Sequence, residues 1–260
     1  MAELTERQRE IRAEFERRRG YWAPDWQMIL ELDPEFLAAY TDLSAYAVEH
    51  GGLDLRTREL IYVATCASVT HQHPVGIRQH GRNALAAGAT PEQLLAVMEL
   101  VSTLGAATIH LAVAELERLE PGTAQALAEE NNTSSERVAE LADQFREVYG
   151  AWDDDLTDVL RAVPDFYQRL LALAAHPRHS GVLSAKEVAL ISLSVNALVT
   201  HLDAKALRRD LIAARQAGAT PAEILDVCMQ IAGIGVHAIT VGVPILTELL
   251  AEQSSGVSAA

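Results

Sequence analysis

Apolar side chains recur every third or fourth residue through most of this 260-residue chain, and no stretch alternates apolar with polar for long. Such spacing lines one side of a helix and gives no half-buried strand. Glu6 to Arg19 reads as a charged surface helix. Pro34 opens a helix that runs to about Glu49 and stops at Gly51-Gly52. Leu60, Ile61 and Ala64 mark a helix from Thr57 to about Val69. Pro74 opens the next one, which runs to Ala87 and is stopped by Gly88. Thr90-Pro91-Glu92-Gln93 is a capped start: Thr90 as the cap, Pro91 in the first helical position, Gln93 as the reciprocal partner. The helix it opens reaches about Leu104, and another covers Ala106 to Leu119. The pattern predicts an all-α protein.

The same pattern occurs twice. Shifted by 130 residues, the chain aligns with itself without a gap. Phe15, Gly20 and Trp22 meet Phe145, Gly150 and Trp152, and Val69-Thr70-His71 meets Val199-Thr200-His201. Gly88-Ala89-Thr90-Pro91 meets Gly218-Ala219-Thr220-Pro221. Between Ala67 and Leu116 about a third of the positions are identical to their partners, a tandem duplication. Two domains are expected, 1–130 and 131–260, joined by a polar junction near Glu120 to Ser135. The last helix of each half is rich in small residues; Gly233, Gly235, Ala238 and Gly242 would let another helix approach, in the core or in an oligomer.

Charge narrows the function classes. Lys plus Arg is 21 against 36 Asp plus Glu, a net charge of −15. That balance argues against nucleic acid and against an anionic membrane surface as partners. Cys66 and Cys228 lie far apart and form no CxxC, which suits a reducing cytoplasm and small core hydrophobes. The N-terminus mixes acids and bases with no apolar run, so no signal peptide is expected there. The most apolar stretch, Ile224 to Leu246, contains Asp226, Gln230 and His237 and is expected to be buried helix, not a membrane span.

Arg58-Glu59-Leu60-Ile61, then His80, then Gly88-Ala89-Thr90-Pro91-Glu92-Gln93, resembles the carboxymuconolactone decarboxylase and alkylhydroperoxidase D superfamily. The second half keeps the final Glu of that motif as Glu223. The resemblance covers about 60 residues in each half. It implies two tandem all-helical domains, and the divergence of their polar residues makes the first the active copy and the second a copy with a degenerate site. It also implies cofactor-free chemistry on a small carboxylated or lactone substrate, and a homo-oligomer, a trimer in a pseudo-hexameric arrangement. The peroxidase branch needs a Cys-x-x-Cys seven and four residues before the helix His. His73 and Gly76 stand there, with Asp203 and Ala206 in the second half, so a thiol peroxidase of that kind is excluded. The decarboxylase branch commonly has a Glu where Gly76 stands.

The polar residues differ between the halves. His80 aligns with Asp210, His73 with Asp203 and Cys66 with Asn196, so the first half concentrates its imidazoles at His71, His73 and His80. With Pro74 starting the helix, His73 falls at the N-cap and His80 two turns further along the same face. Gly76 between them leaves room for a ligand, and Arg78 and Gln79 on neighbouring faces could reach a carboxylate. Cofactor-free decarboxylation must anchor a carboxylate, hold the negative charge left by CO2 and then deliver a proton. A His, with an ordinary pKa of about 6.5, suits the last step. In this reading His80 is the acid or base, the role that the resemblance implies most directly. His73 is a second proton carrier and Glu59 the carboxylate that orients an imidazole. Arg78, Gln79, His71 and Gly76 line the substrate, and no metal or cofactor is needed. The plainer alternatives are an ion pair of Glu59 with Arg56 or Arg58, an inter-helix salt bridge for Arg78, and a shared structural task for His71 and His201. Three imidazoles could also ligate a metal, but no acidic ligand follows at a recognisable interval. No phosphate loop or nucleophile elbow is present. A decarboxylase-like lyase leads. Behind it stand a non-catalytic small-molecule binding or assembly protein and a specialised secondary-metabolism enzyme that moves protons.

Overall fold

The computed structural model describes residues 3–151 and 156–255, in which the regular elements are all helices. In the first half these are α1 (Glu6–Arg19), α2 (Pro24–Leu32), α3 (Pro34–His50), α4 (Leu55–Ala67), α5 (Pro74–Ala86), α6 (Pro91–Val101) and α7 (Ala106–Leu119). After α8 (Thr123–Glu130) the series recurs as α9 (Ser135–Tyr149), α10 (Leu156–Ala162), α11 (Pro164–His179), α12 (Ala185–Asn196), α13 (Ala204–Gln216) and α14 (Pro221–Ala232). A 3₁₀ turn (Gly233–Val236) leads into α15 (His237–Ser255). The repeat shift of 130 residues carries the starts of α3, α5 and α6 onto those of α11, α13 and α14. The expected match of Trp22 with Trp152 lies outside the described residues.

The local signals act as the sequence suggests. Thr90 and Gln93 form the reciprocal capping box of α6. Thr5 with Gln8 and Ser184 with Glu187 do the same for α1 and α12. α1 and α9 both end on a glycine in the left-handed region, Gly20 and Gly150, each with φ of 76°. Three helices were not expected: α2, its repeat partner α10, and α8. α2 begins at a proline hidden among aromatic residues, and α8 occupies the segment read as a polar junction. Its Ala124 and Ala128 are buried, so that segment packs. α4 begins before Thr57, because Asp54 caps it by accepting from the Thr57 amide.

The chain forms two compact units, Met1–Gly52 with Ala232–Ala260, and Leu53–Ile231. They cut across the expected domains 1–130 and 131–260. In the first unit, Phe15 of α1 is fully buried, with Trp22 edge-on at 5.3 Å and Trp26 at 5.0 Å. Val236, Ile239 and Val243, from the end of the second half, complete this core. Burying a phenylalanine this fully contributes roughly 2–3 kcal/mol. In the other unit the repeat-related core forms around Phe145 and Tyr167, and Val113 and Ile109 of α7 complete it. The three opening helices of each half are therefore covered by the closing helix of the other half. Within the chain, the glycines of the closing segment let no other helix approach: a Cβ at Gly233, Gly235 or Gly242 would meet nothing within 4 Å among the described residues.

Inside the Leu53–Ile231 unit, α4 packs on its repeat partner α12. The repeat-related hydroxyls of Thr70 and Thr200 meet at 3.1 Å. The turns that follow these helices also match. Gln72 and Leu202 both take a positive φ, 44° and 47°. The next amides, of His73 and Asp203, donate to the carbonyls of Cys66 and Asn196. This return places the start of α5 beside the end of α4.

Candidate functional site

Glu59 on α4 and His80 on α5 form the centre of the first half's polar cluster. Glu59 Oε2 and His80 Nδ1 are 2.7 Å apart, with exposures of 7% and 8%. Burial at this depth is rare for an acid unless it is paired, so each group makes the other tolerable. The bond to Nδ1 fixes the ring and leaves Nε2 as the atom available for chemistry. Tyr62, one turn beyond Glu59, stacks on the imidazole at 4.5 Å with 23° between the planes. The sequence reading missed Tyr62; its three-residue spacing from Glu59 on one helix was the available signal.

His73 caps α5 as expected. Its Nδ1 accepts a 3.0 Å hydrogen bond from the Gly76 amide, so that nitrogen carries no proton there. Cys66 is buried against the same turn. A Cβ at Gly76 would lie 2.5 Å from Cys66 Sγ and 2.7 Å from His73 Nδ1, so the glycine leaves room for protein groups already in place. Burial pushes the Cys66 thiol up to about 12, and the nearby Glu59 carboxylate pushes in the same direction. The sulfur is a neutral thiol and a poor nucleophile. His71 is half-buried beside His73, ring centroids 5.8 Å apart, and burial moves its pKa below the usual histidine value.

Two expected anchors stand elsewhere. Arg78 is exposed, because the buried face of α5 carries Gly76, His80 and Ala84, and residue 78 falls about 200° around the helix from His80. Gln79 is half-buried and donates to Asn83 at 3.0 Å along its own helix. Of the expected site residues, the structure brings together Glu59, His80, His73, Gly76 and His71, while Arg78 points to solvent.

The carboxymuconolactone decarboxylase family model matches residues 34–118, the stretch that holds this cluster. A crystal structure of a provisionally named gamma-carboxymuconolactone decarboxylase subunit from Burkholderia xenovorans LB400 superimposes with a TM-score of 0.84 at 29% identity. The alignment covers 95% of this chain and 98% of that one. Together these two likenesses support the carboxymuconolactone decarboxylase/alkylhydroperoxidase D-like superfamily for this chain. No curated protein matches it significantly.

The two cysteines of this chain form no redox pair, and its first half holds the buried acid–imidazole pair Glu59–His80. A separate buried charge network adjoins the start of α4. Arg58 is 3% exposed and donates to Asp226 of α14, which is 0% exposed, at 3.2 Å. Asp226 also accepts from the Leu53 amide and from Gln230. The alternative ion pair of Glu59 with Arg58 is therefore not formed: Arg58 is committed to Asp226 and Glu59 to His80. Arg56 pairs instead with Glu187 at 2.7 Å.

Proposed function

We propose that the protein is a cofactor-independent, decarboxylase-like lyase for a small carboxylated or lactone substrate, with His80 as its acid–base group. The buried Glu59–His80 pair carries this reading. Glu59 holds the ring through Nδ1, and Nε2 exchanges a proton with the substrate. In the reaction, the bond from the substrate carbon to its carboxylate breaks and CO2 leaves. The electron pair passes into an adjacent carbonyl or lactone, and His80 Nε2–H then protonates the carbon. Glu59 balances the imidazolium before that transfer and keeps the neutral ring oriented after it. Tyr62 presses on the ring and restricts its motion, and the thiol of Cys66 and the cap at His73 shape the adjoining wall.

The test uses gamma-carboxymuconolactone, the compound named for the Burkholderia relative, with release of CO2 as the readout. Wild type is expected to turn over. His80→Gln should lose about 10²–10⁴-fold in kcat, with helical circular dichroism unchanged. Glu59→Gln should reduce kcat more than it raises KM, since it acts through His80. Full turnover by His80→Gln would reject the reading.

The exposure of Arg78 favours a second reading, small-molecule binding without turnover, because α5 then supplies no cation to the pair. Ligand affinity in a wild type that releases no CO2 would select it. We also propose self-association, as the resemblance implies, because apolar side chains stay exposed along α7 and α15.

A further inference from the structure

The second half has lost the acid of the pair, with Ala189 in the place of Glu59, and carries different polar groups around it. Asp210 stands for His80, Asn196 for Cys66, Ser192 for Tyr62 and Arg209 for Gln79. Asp210 is 5% exposed and accepts a 2.6 Å hydrogen bond from Asn196 Nδ2. Beside it, Arg178 of α11 and Arg209 of α13 lie over the Tyr149 ring, their guanidinium carbons 4.6 Å and 4.9 Å from its centroid. Among the described residues, neither guanidinium has a carboxylate within ion-pair distance. Arg178 donates weakly, to the Ala174 carbonyl at 3.3 Å and to Ser192 Oγ at 3.4 Å. Arg209 Nε is buried and has no hydrogen-bond partner.

Two cavities meet at this set. One, of about 330 Å³, is walled by Val188, Ala189 and Ala213 and reaches Tyr149, Arg178 and Asp210. The other, of about 40 Å³, adds Arg209 and Asn196. A guanidinium keeps its charge at any ordinary pH, and a cation withdrawn from water without a counter-ion is costly. Asp210 acts on both arginines through space but forms no direct ion pair with either, so two half-buried cations beside an apolar cavity can both be paired by one ligand with a carboxylate head and a non-polar body. The planar fork of arginine matches a carboxylate in a way that a point charge does not.

We propose that this cavity of the second half is a binding site for a small organic carboxylate, held by Arg178 and Arg209, with the protonated carboxyl of Asp210 donating to the ligand. The proposal does not depend on chemistry at His80. It makes binding take up a proton. Burial pushes the Asp210 carboxyl up to about 6. An anion bound beside it must push that value higher still, so affinity falls as pH rises past the free-state value. The other charged and titratable groups facing Asp210 are Arg178 and His179 of α11, Arg209 and Asp203 of α13, Glu147 and Tyr149 of α9, and His110 of α7. Asp203 is occupied as the cap of α13, accepting from the amides of Lys205 and Ala206.

Benzoate is the probe, titrated by calorimetry into the full chain. Wild type should bind it at least about tenfold more tightly near pH 5 than near pH 8. Arg209→Gln should weaken binding by about tenfold or more, and Arg209→Lys, which keeps the charge and loses the fork, by less. Asp210→Asn should bind with the pH dependence removed. His80→Gln should bind as wild type does, which separates this site from the proposed reaction. The proposal is overturned if wild type does not bind benzoate, or if the folded arginine variants bind as tightly as wild type. PH dependence that survives in Asp210→Asn, or binding that disappears in His80→Gln, would overturn it equally.

Discussion

Gly76 and Gly81 sit on the same helix in opposite circumstances, which makes them a direct test of local packing. A Cβ at Gly76 would overlap Cys66 Sγ and His73 Nδ1, whereas one at Gly81 would meet nothing within 4 Å. Gly76→Ala should therefore lower stability by about 1–3 kcal/mol, because overpacking outweighs the helix propensity it gains. Gly81→Ala should raise stability by up to about 1 kcal/mol. Urea denaturation measures both, and equal effects would refute the packing account. Asp210 supplies a test by pH. Its folded value is raised above the ordinary 3.8, so the protonated form is favoured in the fold. The stability this gives is complete below the unfolded value and is lost as pH rises through about 6. Asp210→Asn should remove that loss, gaining on the order of 1–3 kcal/mol near pH 8 and little near pH 4. Cys66, held as a thiol, should resist alkylation near pH 8 until the protein is unfolded.

Between elements, a buried ion pair ties α4 to α14 through Arg58 and Asp226. Both are nearly inaccessible, and one guanidinium nitrogen, Arg58 Nη1, has no partner among the described residues. Removing Asp226 would leave a buried cation uncompensated. Asp226→Ala should therefore cost about 3–5 kcal/mol, while a double replacement with Met at 58 and Leu at 226 should cost much less. Thermal melts of the single and double variants decide this. The pair also shows how closely two uses of one motif can lie in sequence. Arg58 and Glu59 are adjacent on α4, yet one ties the helix to its neighbour and the other orients an imidazole.

For the molecule as a whole, duplication is visible at two levels. The helices repeat at a shift of 130 residues, and each closing helix covers the opening helices of the other half. Deleting residues 237–255 should therefore expose the Phe15 core as well as shorten the second half, and a marked loss of tryptophan burial by fluorescence would report it. The outer side of α15 remains apolar, with Val241, Ile245, Leu246, Leu249 and Leu250 exposed. If copies associate through it, Ile245→Glu with Leu249→Glu should shift the protein toward a single chain of 28.2 kDa in light scattering. A wild type that already runs as a single chain would end the self-association proposal.

Helix type, helix order, the caps at Thr90 and His73, and the repeat were legible in the sequence, because each depends on residues a few positions apart or on a constant shift. The pairing of Glu59 with His80 was also within reach, since a short turn joins their helices and both face inward. What the sequence left open depends on distant residues. Arg78 and His80 are two positions apart, and only the packing of α5 decides which faces inward. Arg58 could have paired with Glu59 or stood in solvent until α14 brought Asp226 to it. The polar junction hid α8 because buried alanines carry no distinctive pattern. The second half looked like a worn copy when read by the residues it lacks. Only folding sets Arg178, Arg209 and Asp210 around one cavity, because charges interact through space and a linear chain does not record which of them will share it.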